Sequence, residues 1–355
     1  MNLYTRQRTR RDATCSARPG HGQALLDLLM WALFFVALSQ ACRAADPQYT
    51  LRLSSWGSPT APQVSVWVPA FQKLVEDGSK GRIVVQAFPA GALVKEQDVP
   101  SAVQSRVVDI SLATVGGWAS ISPPAALLNS VLYRPTDADF QKMTGAGSPI
   151  FAALDASLQK HGVVLLSALD NGAEVVVSRA AMTTPAAFKG KAIRTYDKAS
   201  SQIVQILGGS PSTMPVSDVY PALQRGTVEA AIGGIQGAFG LKEYEVAKYM
   251  LGSNGVFGVG VTLYVMNKAA LSSLPADLQQ VVLQAGREAE IKANTAIIAS
   301  FADDIDAMRS HGMQVTMLQP GAPEYQAFID AVEPLAKEQE SRLPPDLVKM
   351  LNAGQ

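Results

Sequence analysis

Residues 49–113 read YTLRLSSWGSPTAPQVSVWVPAFQKLVEDGSKGRIVVQAFPAGALVKEQDVPSAVQSRVVDISLA. Tyr49–Trp56 reads as a strand. Val64–Asp77 repeats its apolar residues at helical spacing and is expected to stop at Gly78. Arg82–Phe88 is a second strand, closed by Pro89; Glu96–Ser105 is a helix and Asp109–Ala113 a third strand. Such alternation implies a parallel sheet with helices on its faces, an α/β fold.

The alternation resumes near residue 162, where a second α/β unit is expected to begin. Val163–Leu169, Val175–Ser178, Ala192–Arg194, Val228–Ile232 and Gly260–Met266 read as strands. Ala199–Leu207 is a helix ended by Gly208-Gly209, and Ser217 is expected to cap a helix running through Gln224. From Pro275 to Ser310 runs one unbroken helical pattern. At about 1.5 Å per residue it reaches about 50 Å, more than the width of one small lobe, so it is expected to span two. Gln314–Met317 and a C-terminal helix finish the chain. The expected organisation is one lobe of residues 45–170 with 258–298 and another of 171–257 with 299–355.

Residues 1–44 stand apart. Arg6, Arg8, Arg10, Arg11 and Arg18 precede the apolar run Ala24–Leu38, which is shorter than the roughly twenty residues a bilayer requires. Small residues follow at Cys42 and Ala44, so the segment is expected to be a signal peptide cleaved after Ala44. A retained anchor helix is the other reading. Thr9-Arg10-Arg11 is half a twin-arginine signal, and Leu38-Ser39-Gln40-Ala41-Cys42 is a poor lipoprotein box because Ser39 stands where an aliphatic residue is wanted. Cleavage removes both cysteines (Cys15 and Cys42), and it removes more arginines than acids, leaving a mildly acidic, thiol-free product. Lys+Arg and Asp+Glu both number 30 in the full chain of 355 residues, so no basic footprint for nucleic acid exists. The expected product is exported, periplasmic and soluble.

The remaining chain is poor in catalytic groups. His161 and His311 each precede a glycine at the end of a helical pattern, a position that suits a helix C-terminus. Neither is placed for a Ser-His-Asp triad, and no His-Glu-x-x-His or thiolate is present. Gly255-Val-Phe-Gly258-Val-Gly260 has the wrong glycine order for a dinucleotide loop. No cofactor and no metal are implied. A carboxylate-only glycosidase passes this screen, although no spacing recommends a particular pair.

Ligands in open α/β sheets gather at the carboxyl ends of strands. Those ends carry Trp56, Thr114 and Trp118, then Arg194 and Tyr196, then Val216, then Gly233, Gly234 and Gln236. Aromatic surface, small residues and one arginine suit a small organic anion, since a guanidinium holds a carboxylate in two parallel bonds. Each residue also has an ordinary reading, Arg194 as a surface charge and the tryptophans as core.

Phe188-Lys189-Gly190-Lys191-Ala192-Ile193-Arg194 is followed by Met214-Pro215-Val216-Ser217-Asp218-Val219-Tyr220-Pro221-Ala222-Leu223-Gln224-Arg225-Gly226. Together with Leu263–Lys268 and Leu274–Gln279, this resembles the DctP-type substrate-binding proteins of tripartite ATP-independent periplasmic (TRAP) transporters. The resemblance covers nearly all of residues 49–340. It implies a type II-like periplasmic binding protein: two lobes, a cleft that closes on a ligand, and a long helix through both. It places the arginine that clamps the ligand carboxylate at Arg194, first- and third-strand pocket positions near Trp56 and Thr114, and a wall position at Val216. It also implies membrane permease subunits as partners and no catalysis. Two features depart from the sialic-acid binders of that family. Asn171-Gly172 is followed by Ala173-Glu174, so an acid stands where those relatives carry a second arginine. Ile232-Gly233-Gly234 replaces their polar Glu-Asn-Pro stretch. Glu174 either points into the cleft, favouring a ligand with a cation beside its carboxylate, or is an exposed strand acid or the partner of a neighbouring base such as Arg179. An ABC-type binding protein, a ligand-sensing periplasmic receptor and a secreted carboxylate-dependent hydrolase are the rival functions.

Overall fold

Two twisted sheets, each with helices packed against it, make up the protein. The computed structural model describes residues 47–253 and 255–354. The expected signal peptide, its cleavage site and Cys42 lie outside the described residues. The first sheet holds β1 (Tyr49–Ser54), β2 (Ile83–Phe88), β3 (Ile110–Thr114), β4 (Val163–Ala173) and, from later in the chain, β10 (Val259–Asn267). The second holds β5 (Val175–Ser178), β6 (Ala192–Thr195), β7 (Ser210–Thr213), β8 (Ala230–Gly233), β9 (Tyr249–Ser253) and β11 (Gln314–Leu318). Their orders are β2-β1-β3-β10-β4 and β11-β9-β5-β8-β6-β7.

β1 lies between β2 and β3 and is parallel to both, the parallel pairing being the one expected from residues 49–113. The helix after β1 does not stop at Gly78. It runs Trp67–Ser79, and the turn is made by Lys80 (φ 55°) with Gly81 (φ 76°) behind it. Gly78 serves packing instead: a Cβ there would stand 2.8 Å from Val281 Cγ1 on the long helix. Trp67, Phe71 and Val75 bury one stripe of this helix. Trp67 stacks on Phe71 and Tyr264, and its indole donates to Ser167 Oγ at 2.8 Å.

The second unit begins later than expected. β4 pairs antiparallel with β10 and so closes the first sheet. The chain changes sheets between Ala173 and Val175, and returns between β9 and β10. β7 and β9 escaped the sequence reading because SPST and YMLGS lack a run of β-branched residues. Ser217 does not cap the following helix, Val219–Arg225. A 3₁₀ turn, Val216–Asp218, precedes it, and Ser217 Oγ donates to Asp218 Oδ1.

The long helix runs Ala276–Ser310. Its first half is held to β4 by polar groups buried in an apolar seam. Glu290 accepts from the backbone of Ala146 (2.7 Å) and Ala168 (2.8 Å), and Asn294 accepts from Asp170 N (2.9 Å). Further along, Ser300 Oγ accepts from Gln236 Nε2 at 2.9 Å, on the helix Ile235–Gly240 that follows β8. One helix thus packs on elements of both sheets, and residues 46–355 form one compact unit. Among the described residues no helix is long and apolar enough to cross a membrane.

Candidate functional site

A cavity of about 110 Å³ opens where ends of β1, β3, β4 and β6 face the first residues of β10. Of the ten positions expected at the ligand, Trp56, Thr114, Glu174, Arg194, Tyr196 and Val216 line it. Trp118 does not; its side chain is wholly buried among core residues such as Val99, Leu127 and Leu128. Gly233 lies behind the guanidinium, with Arg194 Nη1 3.6 Å from where its Cβ would be, and Gly234 begins the helix Ile235–Gly240. Gln236 is turned toward Ser300.

Arg194 is the charge at the centre. β6 lies between β7 and β8 and runs parallel to both, so a side chain near its carboxyl end emerges inside the fold. The residue is only 4% exposed. Its Nε donates to Met214 O (3.2 Å) and its Nη1 to Ile232 O (2.9 Å), which fixes the plane of the fork. Among the described residues no carboxylate lies within 4.0 Å of it. Its Cζ sits 5.5 Å from the centre of the Tyr196 ring, within the range of a cation–π contact.

Glu174 stands at the crossing between the sheets and is 5% exposed. It is not a partner of Arg179, which lies 3.9 Å from Glu229. Its Oε1 accepts from the Tyr196 hydroxyl at 3.2 Å, while Oε2 is buried with no hydrogen-bond partner among the described residues. Burial pushes its carboxyl up to about 7, against the pull of Arg194 and the Tyr196 hydroxyl. Burial likewise raises the Tyr196 phenol and the Glu96 carboxyl, the latter opposed by Arg194.

Several lining residues had no signal in the sequence. Val259, Gly260, Val261 and Thr262 belong to the amino end of β10. That strand runs antiparallel to β3, with Thr262 opposite Thr114, so its beginning lies beside the other strand's end. A rule that counts carboxyl ends passes over it. Glu96 comes from a 3₁₀ turn (Glu96–Asp98) and Asn129 from the end of the helix Pro123–Leu128. Asn171, read only as part of Asn171-Gly172, donates to Thr262 Oγ1 at 3.2 Å and keeps a buried Oδ1 with no partner among the described residues.

A larger cavity of about 460 Å³ shares Gly116 and Asn129 with this one. Its charged lining residues, Lys198 and Arg342, are exposed, and Arg342 pairs with Glu338. It has the character of an approach, whereas the buried charges lie in the smaller cavity. The two histidines are far from catalytic use: His161 Nε2 lies 3.2 Å from Ile121 O, and His311 stacks on Tyr244 with ring centres 4.4 Å apart. No group of acidic, histidine or cysteine side chains able to hold a metal ion occurs among the described residues.

Two α/β halves around an anchored arginine and a long shared helix define a solute-binding receptor of the periplasmic type. The chain belongs to the DctP family, bacterial extracellular solute-binding protein family 7, whose model matches residues 54–342. It is 27% identical over 288 residues to the 2,3-diketo-L-gulonate-binding periplasmic protein YiaO of Escherichia coli (strain K12), spanning 80% of this chain and 86% of that one. It is 25% identical over 289 residues to the C4-dicarboxylate-binding periplasmic protein DctP of Rhodobacter capsulatus, spanning 80% and 84%. In fold it matches the Bordetella pertussis extracytoplasmic solute receptor DctP7, which binds pyroglutamic acid, with TM-score 0.78 at 20% identity over 86% of this chain and 99% of that one. A TRAP periplasmic solute-binding protein from Shewanella oneidensis with bound succinate matches with TM-score 0.77 at 22% identity, over 87% and 99%. The family and these neighbours are solute-binding proteins, not enzymes.

Proposed function

We propose that this chain is the substrate-binding subunit of a TRAP transporter: it captures a small organic anion in the cleft, closes on it and delivers it to the membrane permease. The observation that carries this reading is Arg194, a buried guanidinium held in place by two backbone carbonyls and without an ion-paired carboxylate among the described residues. Burying an unpaired charge costs several kcal/mol, a cost that a ligand carboxylate offsets. Membership of the family and relatives that bind carboxylates support the same class of solute. The cavity suits a compact acid, being well below the roughly 300 Å³ at which drug-sized sites begin.

In this reading residues 45–170 with 258–298 form one lobe and 171–257 with 299–355 the other. The two sheet crossings, at 173–175 and between β9 and β10, support that division as hinge segments. Export precedes function, with residues 1–44 removed. The test is a thermal-shift panel of mono- and dicarboxylates on the protein beginning at Ala45. A true ligand raises the melting temperature of the wild type with the logarithm of its concentration over Kd, and loses most of that effect in Arg194→Ala. A panel in which no organic acid stabilises the protein contradicts the reading.

A further inference from the structure

Two buried, oppositely charged groups line one small cavity and do not meet. Arg194 spends Nε and Nη1 on the carbonyls of Met214 and Ile232. Glu174 spends Oε1 on the Tyr196 hydroxyl and leaves Oε2 without a partner among the described residues. Tyr196 links them, its ring face toward the guanidinium and its hydroxyl on the carboxyl. No ion pair within 4.0 Å joins Glu174 and Arg194 among the described residues. Opposite charges in a low-dielectric site attract strongly, so holding them apart requires rigid attachment at both ends. Each has it: two carbonyls grip the guanidinium, and Glu174 is fixed by its backbone N–H on Gly258 O (3.0 Å) and by the Tyr196 hydroxyl.

A second acceptor stands on the Glu174 side. Glu174 and Asn171 flank Gly260 so closely that a Cβ there would lie 2.9 Å from Glu174 Oε1 and 3.0 Å from Asn171 Cβ. Among the described residues, Asn171 Oδ1 is buried and unpartnered, as is Glu174 Oε2. The cavity therefore has a cationic donor at one side and two unsatisfied acceptors at the other. A plain carboxylate pairs with Arg194 but leaves Glu174 and Asn171 unsatisfied, at the full desolvation cost of those groups. A ligand with an N–H near its carboxylate satisfies both sides.

We propose that the cavity takes a compact carboxylate bearing an ammonium or amide N–H within a few bonds, its carboxylate on Arg194 and its N–H on Glu174. The proposal rests on the carboxylate reading of Arg194 and adds Glu174 as the residue that sets selectivity. Burial pushes the Glu174 carboxyl up to about 7 in the unliganded protein, and a ligand N–H placed on it favours the charged, acceptor-only form.

The test uses pairs in which oxygen replaces the ring nitrogen: L-proline, whose nitrogen is a cation, with (S)-tetrahydrofuran-2-carboxylate, and L-pyroglutamate, whose lactam N–H is neutral, with the corresponding lactone analogue, (S)-5-oxotetrahydrofuran-2-carboxylate. Binding to wild type, Glu174→Gln and Arg194→Ala is measured by calorimetry and thermal shift, with circular dichroism as the fold control. In the wild type at least one N–H member binds roughly tenfold or more tightly than its oxygen partner, the scale of a hydrogen bond to a charged group. Glu174→Gln narrows that ratio by several-fold, whereas Arg194→Ala weakens binding of both members by roughly thirtyfold or more. Equal binding of the members in the wild type, or no binding by either N–H member, overturns the proposal without help from any variant. If the oxygen members still depend on Arg194, the carboxylate reading survives that outcome; if binding is indifferent to Arg194, both fall.

Discussion

Asn129 Nδ2 donates to Asp197 Oδ2 at 2.8 Å, and the two residues belong to different halves of the fold. Asn129 ends the helix Pro123–Leu128 in the first half; Asp197 caps the helix Lys198–Ile206 after β6 in the second, accepting from Ser200 N at 2.8 Å. Gly116 makes the approach possible, because a Cβ there would stand 2.6 Å from Asp197 Oδ2 and 3.0 Å from Asn129 Nδ2. The bond sits where the two cavities share their lining, so it ties the two sides together beside the smaller one and is expected to act as a latch.

Asn129→Ala is expected to loosen that latch. The loss is about 1 kcal/mol of closed-state stability, the usual net worth of one such hydrogen bond. Small-angle scattering of the unliganded variant then gives a larger radius of gyration than wild type, and ligand affinity falls severalfold. An unchanged radius together with unchanged affinity means that the bond plays no part in closure.

Arg194→Ala is expected to weaken ligand binding by about 2–5 kcal/mol, the range for truncating one member of a buried charge pair. Arg194→Lys recovers only part, because an ammonium keeps the charge and loses the planar fork that Met214 O and Ile232 O align. Titration calorimetry on both folded variants decides it. Near wild-type affinity in Arg194→Ala places the anchor elsewhere.

The buried carboxyl of Glu174 makes stability depend on pH with a definite sign. Its folded value of about 7 lies above the 4.5 of an unperturbed glutamate, so between those values the folded state holds a proton that the unfolded state has lost. Stability from this group is therefore present below about pH 4.5 and lost as pH rises toward 7, at up to about 1.4 kcal/mol per pH unit. Glu243, also pushed up to about 7 by burial, adds the same trend. Urea denaturation of the unliganded protein at pH 5 and pH 7.5 is expected to give a smaller loss in Glu174→Gln than in wild type. An identical loss in the two proteins assigns the trend to other groups.

Gly286 lies inside the long helix, where alanine is ordinarily favoured by about 1 kcal/mol. Here a Cβ would lie 2.8 Å from Leu166 O and 3.0 Å from Leu166 Cβ, and Gly286 O accepts from Ser167 Oγ at 2.7 Å. Backbone on backbone does not yield as a flexible side chain does, so the clash outweighs the propensity gain. Gly286→Ala is expected to destabilise by about 1–3 kcal/mol in chemical denaturation. A stabilised variant means that the helix and β4 separate more easily than their packing suggests.

Local features of the chain were enough for the order of most strands and helices, the parallel core of the first sheet and the length of the helix Ala276–Ser310. Apolar periodicity is written into adjacent residues, so it survives without knowledge of the partner surface. Arg194 was legible for the same reason, as an arginine at the end of a short apolar strand within a recognisable motif. Other features depend on pairing between distant segments. β10 enters the first sheet antiparallel and brings Val259–Thr262 to the cavity, while β4 closes that sheet instead of opening the second. Trp118 turns into the core although it follows a strand end, because its turn packs against the next helix, Pro123–Leu128, whose Leu127 and Leu128 belong to the same buried cluster. Glu174 lies on a crossing segment, where neither strand nor helix period says which way a side chain points. Its direction is settled by the Tyr196 hydroxyl and by the space that Gly260, lacking a Cβ, leaves open beside it.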